Sequence, residues 1–321
     1  RAADGMSVRP VLEHRAGVRA AIRNHFDSLG FLEVDTPVLS QEVLPEAHIE
    51  PIAVSIGEQQ TRFLQASPEA LMKRLLASGA GPIYQFARCF RAGERGPQHD
   101  TEFVMLEWYQ PGATLTETAS LLEPLFARSL GTSGLDRISC AAAFEQYAGV
   151  DPTTADSEPL AAAIDNAGLR LPEGLEDLPR GARWSLCFEL LLAEVVAPRL
   201  GQQRPAMLEN WPAAAAAFAR LDPHDPRLAR RFEVFFGGVE LVNGWEEEPS
   251  AAVLRERITA ANQTRLADGR QPLPLPERLL AAHGEAMPEG VGAALGFDRL
   301  VMIAAGGGSI DQIRAFSSTD A

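Results

Sequence analysis

Long apolar runs are missing from these 321 residues: no stretch reaches the roughly 18 apolar residues that a membrane-spanning helix needs, so no such helix is predicted. Cysteine is scarce. Cys89, Cys140 and Cys187 are widely spaced with no CxxC pair, which argues against a disulfide framework or a cysteine zinc site and predicts a reducing, cytoplasmic setting. Positive charge is also short, 29 Lys and Arg against 43 Asp and Glu, for a formal net charge of -14. That balance disfavours non-specific phosphate binding and makes a tRNA reader unexpected, although a local basic groove is compatible with it. RAADGMSVRP at the start has no apolar core of a secretory signal, and Met6 reads as a natural start behind a short extension, 1–7. What is plentiful is apolar residue, 46 %, enough for one or two sizeable cores.

Val11, Leu12, Val18, Ile22, Phe26 and Leu29 recur at helical spacing, with Gly30 placed as a C-cap. FLEVDTPVLS follows as extended chain, where Pro37 removes a ladder donor and so predicts an edge or an interface. Ser67, Pro68 and Glu69 read as the cap and first turn of a helix to Leu76. IYQFARCFR and EFVMLEWYQ read as two strands around the polar loop AGERGPQHDT. The middle, about 112–230, is expected to be mainly helical, with patches Leu115 to Leu130 and Trp184 to Ala197 and a plain helix at Ala213 to Ala217. RFEVFF, GG and VELVNGW then return to strands, Pro249 to Asp268 to helix, and VGAALGFDRLVMIAAGG to a strand running into a helix. Strands at both ends with helices between predict an α+β domain over 8–321 around a mostly antiparallel sheet flanked by helices.

Three segments carry chemistry. In the first hairpin Arg88, Arg91 and Arg95 lie near Glu94, His99, Asp100 and Glu102, and a guanidinium fork at a strand end can hold an anion; a solvated loop is the alternative. In the second, a Gly237-Gly238 turn pairs Glu240 with Phe235 and sets Glu233 diagonal to it. Two carboxylates on one apolar face need a cation between them, and Mg²⁺ carrying phosphate oxygens would serve; a merely acidic edge strand is the alternative. Glu247 needs a bulge after Asn243-Gly244 to face the same way. In the third, ALGFDRLVM, a glycine at a strand-to-helix junction admits a planar ligand and Arg299 can stack on a base or meet a phosphate, while Asp298 could equally cap the helix and Arg299 sit in a surface ion pair.

In this order the segments resemble motifs 1, 2 and 3 of the class II aminoacyl-tRNA synthetases: FLEVDTPVLS, FRAGERGPQHDTEF and GFDRLVM. LQASPEALMKRLL, EFVMLEWY and VELVNGWEE are similar to the lysyl subfamily. Motif 1 begins near residue 31, so the anticodon-binding OB domain of lysyl-tRNA synthetases is expected to be absent. The chain therefore resembles more closely the elongation factor P lysyl ligases, which attach (R)-β-lysine to a lysine side chain of elongation factor P, and it shares with them Ala294 where the tRNA enzymes usually carry Gly.

The resemblance implies ATP as substrate with Mg²⁺ and lysine or β-lysine, elongation factor P as acceptor, and a homodimer through motif 1. It implies Arg91 and Arg299 as the catalytic cations. Glu94, His99, Asp100, Phe103, Glu240, Leu241 and Gly296 would join them around ATP, with Phe103 stacking on adenine opposite Arg299. Glu233 and Glu240 match the metal ligands; Ser67, Pro68, Glu69, Tyr109, Trp245, Glu247 and Ala294 match the amino-acid pocket. Asp100 departs from the family's usual Asn, and Thr101 from Pro. A truncated acylase of tRNA or another carrier, and a non-catalytic lysine sensor, are the competing readings.

Overall fold

The structure, a computed structural model, describes residues 8–57 and 60–321; the extension 1–7, with Met6, lies outside them. In chain order its main elements are α1 (Arg9–Ser28), β1 (Leu32–Glu33), β2 (Leu39–Ser40), β3 (Ile52–Ile56), β4 (Gln60–Leu64), α2 (Glu69–Ala77), β5 (Ile83–Phe90) and β6 (Glu102–Pro111). Next come α3 (Leu115–Leu130), β7 (Asp136–Ser139), α4 (Cys140–Ala148), α5 (Ser157–Asn166), α6 (Arg180–Leu191), β8 (Ala206–Pro212), β9 (Leu228–Phe236) and β10 (Val239–Glu246). The last are α7 (Ala251–Ala267), α8 (Glu277–Ala282), β11 (Gly290–Gly296) and α9 (Phe297–Ala304). The architecture is α+β. The chain divides into two compact units, the first taking in the chain up to Gly112, Pro124–Gly131 and Pro249–Ala321, the second Ala113–Glu123 and Thr132–Glu248.

In the first unit β5 and β6 pair antiparallel from Ile83↔Tyr109 to Phe90↔Glu102, β11 pairs antiparallel with β6, and β1 lies parallel to β5. Strand alternation sends Tyr84, Phe86, Leu106 and Trp108 to one face. There Phe26 of α1, fully buried, stacks on Tyr84 with ring centroids 4.8 Å apart and tilts onto Trp108 at 5.6 Å. The opposite face carries Gln85, Ala87 and Cys89 with Phe103, Met105, Glu107 and Tyr109, and is left for the site. Gly290 must be glycine: at φ 155° a Cβ there would meet the Gln110 carbonyl at 2.3 Å. FLEVDTPVLS is not one strand but two short ones, β1 beside β5 and β2 in a small sheet with β4 and β3, divided around Pro37.

In the second unit β7 lies parallel to β8, and β8, β9 and β10 continue antiparallel. Gly237 and Gly238, at φ 58° and 77°, make the two-residue turn for which positive φ at both positions is required. Phe188 of α6 is its aromatic centre, stacked between Phe144 at 4.9 Å and Trp184 at 5.0 Å, with Trp211 of β8 edge-on at 5.7 Å. Two expectations for the middle are corrected. It holds β7, β8 and the start of β9 among its helices, and the alanine run forms only one 3₁₀ turn, Ala213–Ala215, with Ala217 at φ 50°. Ala217 in the left-handed region ends the turn, and beyond it the Arg220 N–H goes to the Glu246 carbonyl at 2.9 Å, so pairing distant in sequence overrides local helix preference.

Candidate active site

The face of β5, β6 and β11 opposite α1 carries small residues on β11: in register, Gly296 lies opposite Met105, Ala294 opposite Glu107 and Gly292 opposite Tyr109. Over this floor Glu107, only 2 % exposed, accepts hydrogen bonds from the Ser67 hydroxyl (2.7 Å) and the Tyr109 hydroxyl (2.5 Å). Ser67 also accepts from the Glu69 N–H at 3.0 Å, so one hydroxyl holds both the carboxylate and the first helical amide; the N-cap is Pro68 and not Ser67, and α2 begins at Glu69. One turn along α2, Lys73 donates to Glu69 at 2.6 Å, and both are buried. Ser67, Pro68, Glu69, Tyr109 and Ala294 thus meet, joined by two residues the sequence reading did not assign. Glu107 was signalled by its alternation with Met105 and Tyr109, Lys73 by its i+4 spacing from Glu69.

Burial, then repulsion from Glu69, pushes the Glu107 carboxyl up to about 8 despite the hydrogen bonds from Tyr109 and Ser67 and the charge of Lys73. In an unfolded chain the same group ionises near 4.5. Between those two pH values the unfolded state has lost a proton that the folded state keeps, so this group's contribution to stability falls as pH rises through the window. Glu107→Gln should therefore gain stability relative to the unsubstituted protein from pH 5 to pH 8 in paired urea titrations; a difference that does not move with pH would contradict the assignment.

The loop between β5 and β6 supplies the cations. The Arg91 N–H bonds the Thr101 carbonyl at 3.0 Å, its guanidinium lies 5.1 Å from the Phe103 ring centroid and 3.6 Å from Glu94, and its buried Nε has no hydrogen-bond partner among the described residues. Arg299, on the first turn of α9, reaches the other side of the loop, with Nε on the Gln98 carbonyl at 3.3 Å and Nη2 2.5 Å from His99 Nε2. Asp298 is a brace, accepting from the Val104 N–H at 2.9 Å and pairing with Arg15 at 2.6 Å.

Asp100, expected among the nucleotide contacts, faces the segment after α9. Fully buried, it accepts from Arg314 (2.7 Å), the Ser318 N–H (3.0 Å) and hydroxyl, and the Thr101 N–H (2.9 Å). Burial raises its pKa, but the Ser318 and Thr101 hydrogen bonds and Arg314 outweigh it and leave the carboxyl below the usual range.

In the second unit the β9–β10 hairpin keeps the expected start, Val239↔Phe236 and Glu240↔Phe235, but the bulge lies between Glu240 and Val242 instead of after Gly244. Asn243 then faces Glu233 and Trp245 faces Arg231, so alternation carries Asn243, Trp245 and Glu247 along one face with Glu233. Leu241 is buried at the bulge. Trp245 Nε1 donates to the buried Glu247 at 3.3 Å. The cation that Glu233 requires is already present as Arg231 (2.6 Å), itself stacked 4.0 Å over Trp211 and bonded to the Ala215 carbonyl. No group of three or more His, Cys, Asp or Glu able to hold a metal occurs among the described residues. A nucleotide-borne ion needs only one or two carboxylates besides phosphate oxygens, and a carboxylate has about four acceptor sites, so Glu240 and a Glu233 shared with Arg231 fit that more modest demand.

A small-residue floor thus lies under a buried acidic cluster, with arginines on the adjoining hairpin loop and on the helix after β11. The family model for class II tRNA synthetases (D, K and N) matches residues 4–320, and the chain belongs to that family. It is 37 % identical over 311 residues to the elongation factor P–(R)-beta-lysine ligase of Edwardsiella ictaluri, covering 94 % of this chain and 93 % of the relative. To ligases of the same name it is 37 % identical over 315 residues in Photorhabdus laumondii (96 % and 94 % covered) and 38 % over 310 in Proteus mirabilis (94 % and 93 %).

Proposed function

We propose that residues 8–321 form the catalytic domain of an ATP-dependent ligase that activates a lysine-like amino acid, (R)-β-lysine, and transfers it to a lysine side chain of elongation factor P. The observation that carries this reading is the charge count around Glu107: two buried carboxylates, Glu69 and Glu107, share one buried ammonium, that of Lys73. A second ammonium, brought by the substrate, would let Glu107 ionise and complete the balance. A substrate that brings no ammonium to this cluster would leave that charge demand unmet, at a cost on the order of a few kcal/mol.

The substrate carboxylate attacks the α-phosphorus of ATP, the bond to the bridging oxygen breaks, and pyrophosphate leaves. No protein nucleophile is needed; Arg91 and Arg299 would neutralise charge developing on the phosphate, with Glu94, His99, Phe103, Leu241 and Gly296 placing the nucleotide. Mg²⁺ held by Glu233 and Glu240 would supply further neutralisation of the phosphate oxygens. In the second step a neutral lysine amine attacks the adenylate carbonyl, AMP leaves with the bonding electrons, and the nitrogen loses a proton. Ser67, Pro68, Glu69, Tyr109, Trp245, Glu247 and Ala294 are assigned to the amino acid. The exposed Leu32, Val38 and Leu39 of the motif 1 segment support a homodimer. No helix of the described residues is long and apolar enough to cross a membrane.

Incubation with ATP, (R)-β-lysine and purified elongation factor P should add one acyl group to the factor by mass spectrometry. Acylation of tRNA with an unmodified factor would contradict the proposal in favour of a tRNA acylase.

A further inference from the structure

We propose that the segment after α9, residues 309–318, positions the nucleotide loop, with Arg314 as a positioning residue acting through Asp100. Three places on the loop are tied to this segment. Arg95 pairs with Asp311 at 2.6 Å, the Pro97 carbonyl accepts from the Ile310 N–H at 2.8 Å, and Asp100 takes Arg314 and both donors of Ser318. The segment is itself anchored, with Ile310 and Ile313 buried. The loop's ligand-facing contacts alternate with these ties: Glu94 beside Arg91, then His99 beside Arg299. His99 directly precedes Asp100, so the backbone that presents its ring is fixed by the clamp behind it.

Asp100 has no exposed surface, and Arg314 is its closest cation, at 2.7 Å against 4.0 Å for Arg95. Without Arg314 a buried carboxylate loses its main counter-charge, and the loop relaxes toward water to hydrate it. His99 and Glu94 move with it. The inference rests on the assignment of this loop to ATP made above.

The test uses the full chain with Arg314→Gln, which keeps most of the side chain's bulk, in ATP–pyrophosphate exchange. The KM for ATP should rise at least about tenfold, within the range that a small displacement of positioning groups produces, while the KM for the amino acid stays within about twofold. Adding Asp100→Asn should neutralise the orphaned charge and return the ATP KM to within about threefold of the starting value. An unchanged ATP KM in folded Arg314→Gln, an equal rise in both KM values, or no rescue would overturn the inference. If Arg314→Gln does not fold, Ser318→Ala reads the same split with a smaller change. If the unsubstituted protein shows no exchange, the ATP assignment fails on its own. Hydrogen exchange of residues 94–101 then decides the clamp: faster exchange in either variant supports it, and unchanged protection in both overturns it.

Discussion

Arg91→Ala lowers ATP–pyrophosphate exchange by at least about 10²-fold, the loss that accompanies removal of one preorganised donor from a site of developing charge. The side chain is prepared for that role before any ligand arrives. Its backbone closes the hairpin at Thr101, its guanidinium rests over Phe103, and Glu94 at 3.6 Å orients it without closing a short ion pair. The buried Nε–H has no partner among the described residues, a cost that an acceptor oxygen from a phosphate would remove. Arg91→Lys should recover little, because an ammonium cannot present a planar fork or lie flat on Phe103. Exchange reduced by less than about threefold in Arg91→Ala would refute the role, given the size expected of such donors.

Lys73→Met should destabilise the protein by about 3–5 kcal/mol, the range for breaking a buried ion pair from one side. Lys73 is 2 % exposed and 2.6 Å from Glu69, and its removal would leave Glu69 a buried carboxylate without the ammonium it is bonded to. Met matches the stem in length and keeps the packing, so the change isolates the charge. Pairing it with Glu69→Gln should restore most of the loss in urea denaturation at pH 7. A loss below about 1 kcal/mol for Lys73→Met alone would mean that the pair is hydrated and worth no more than a surface bridge. Lys73 is also the only lysine in the chain, every other long cationic side chain being arginine, so amine-specific labelling of a side chain reports on this position alone.

The strands that bear the site were legible because one face of each is apolar and the other is not. The alternation of Phe103, Met105, Glu107 and Tyr109 located β6, and two adjacent glycines located the β9–β10 turn. β8 escaped because AMLENWP is buried on both faces at its start and end, which erases alternation. The alanine run misled because its composition favours helix, while the chain leaves the helical region at Ala217 and pairs Arg220 with Glu246. Candidate residues could be proposed by type and spacing, but their pairings could not. Arg314 is 214 positions from Asp100, and nothing local marks one as the other's counter-charge. Likewise the acidic face at Glu233 called for a cation, and the sequence offered no means of choosing Arg231 over an ion. The bulge was required by Glu247, yet its place between Glu240 and Val242 depends on how the two strands meet, which residue spacing alone leaves open.

The central claim is that this chain makes an adenylate from a cationic amino acid, and ATP–pyrophosphate exchange with the purified protein tests it most directly. Across α-lysine, (R)-β-lysine, leucine and the other amino acids, the account expects exchange with the lysine-like substrates, strongest with (R)-β-lysine, and background with leucine. Exchange with leucine equal to that with the lysines, or no exchange with any amino acid, would contradict it.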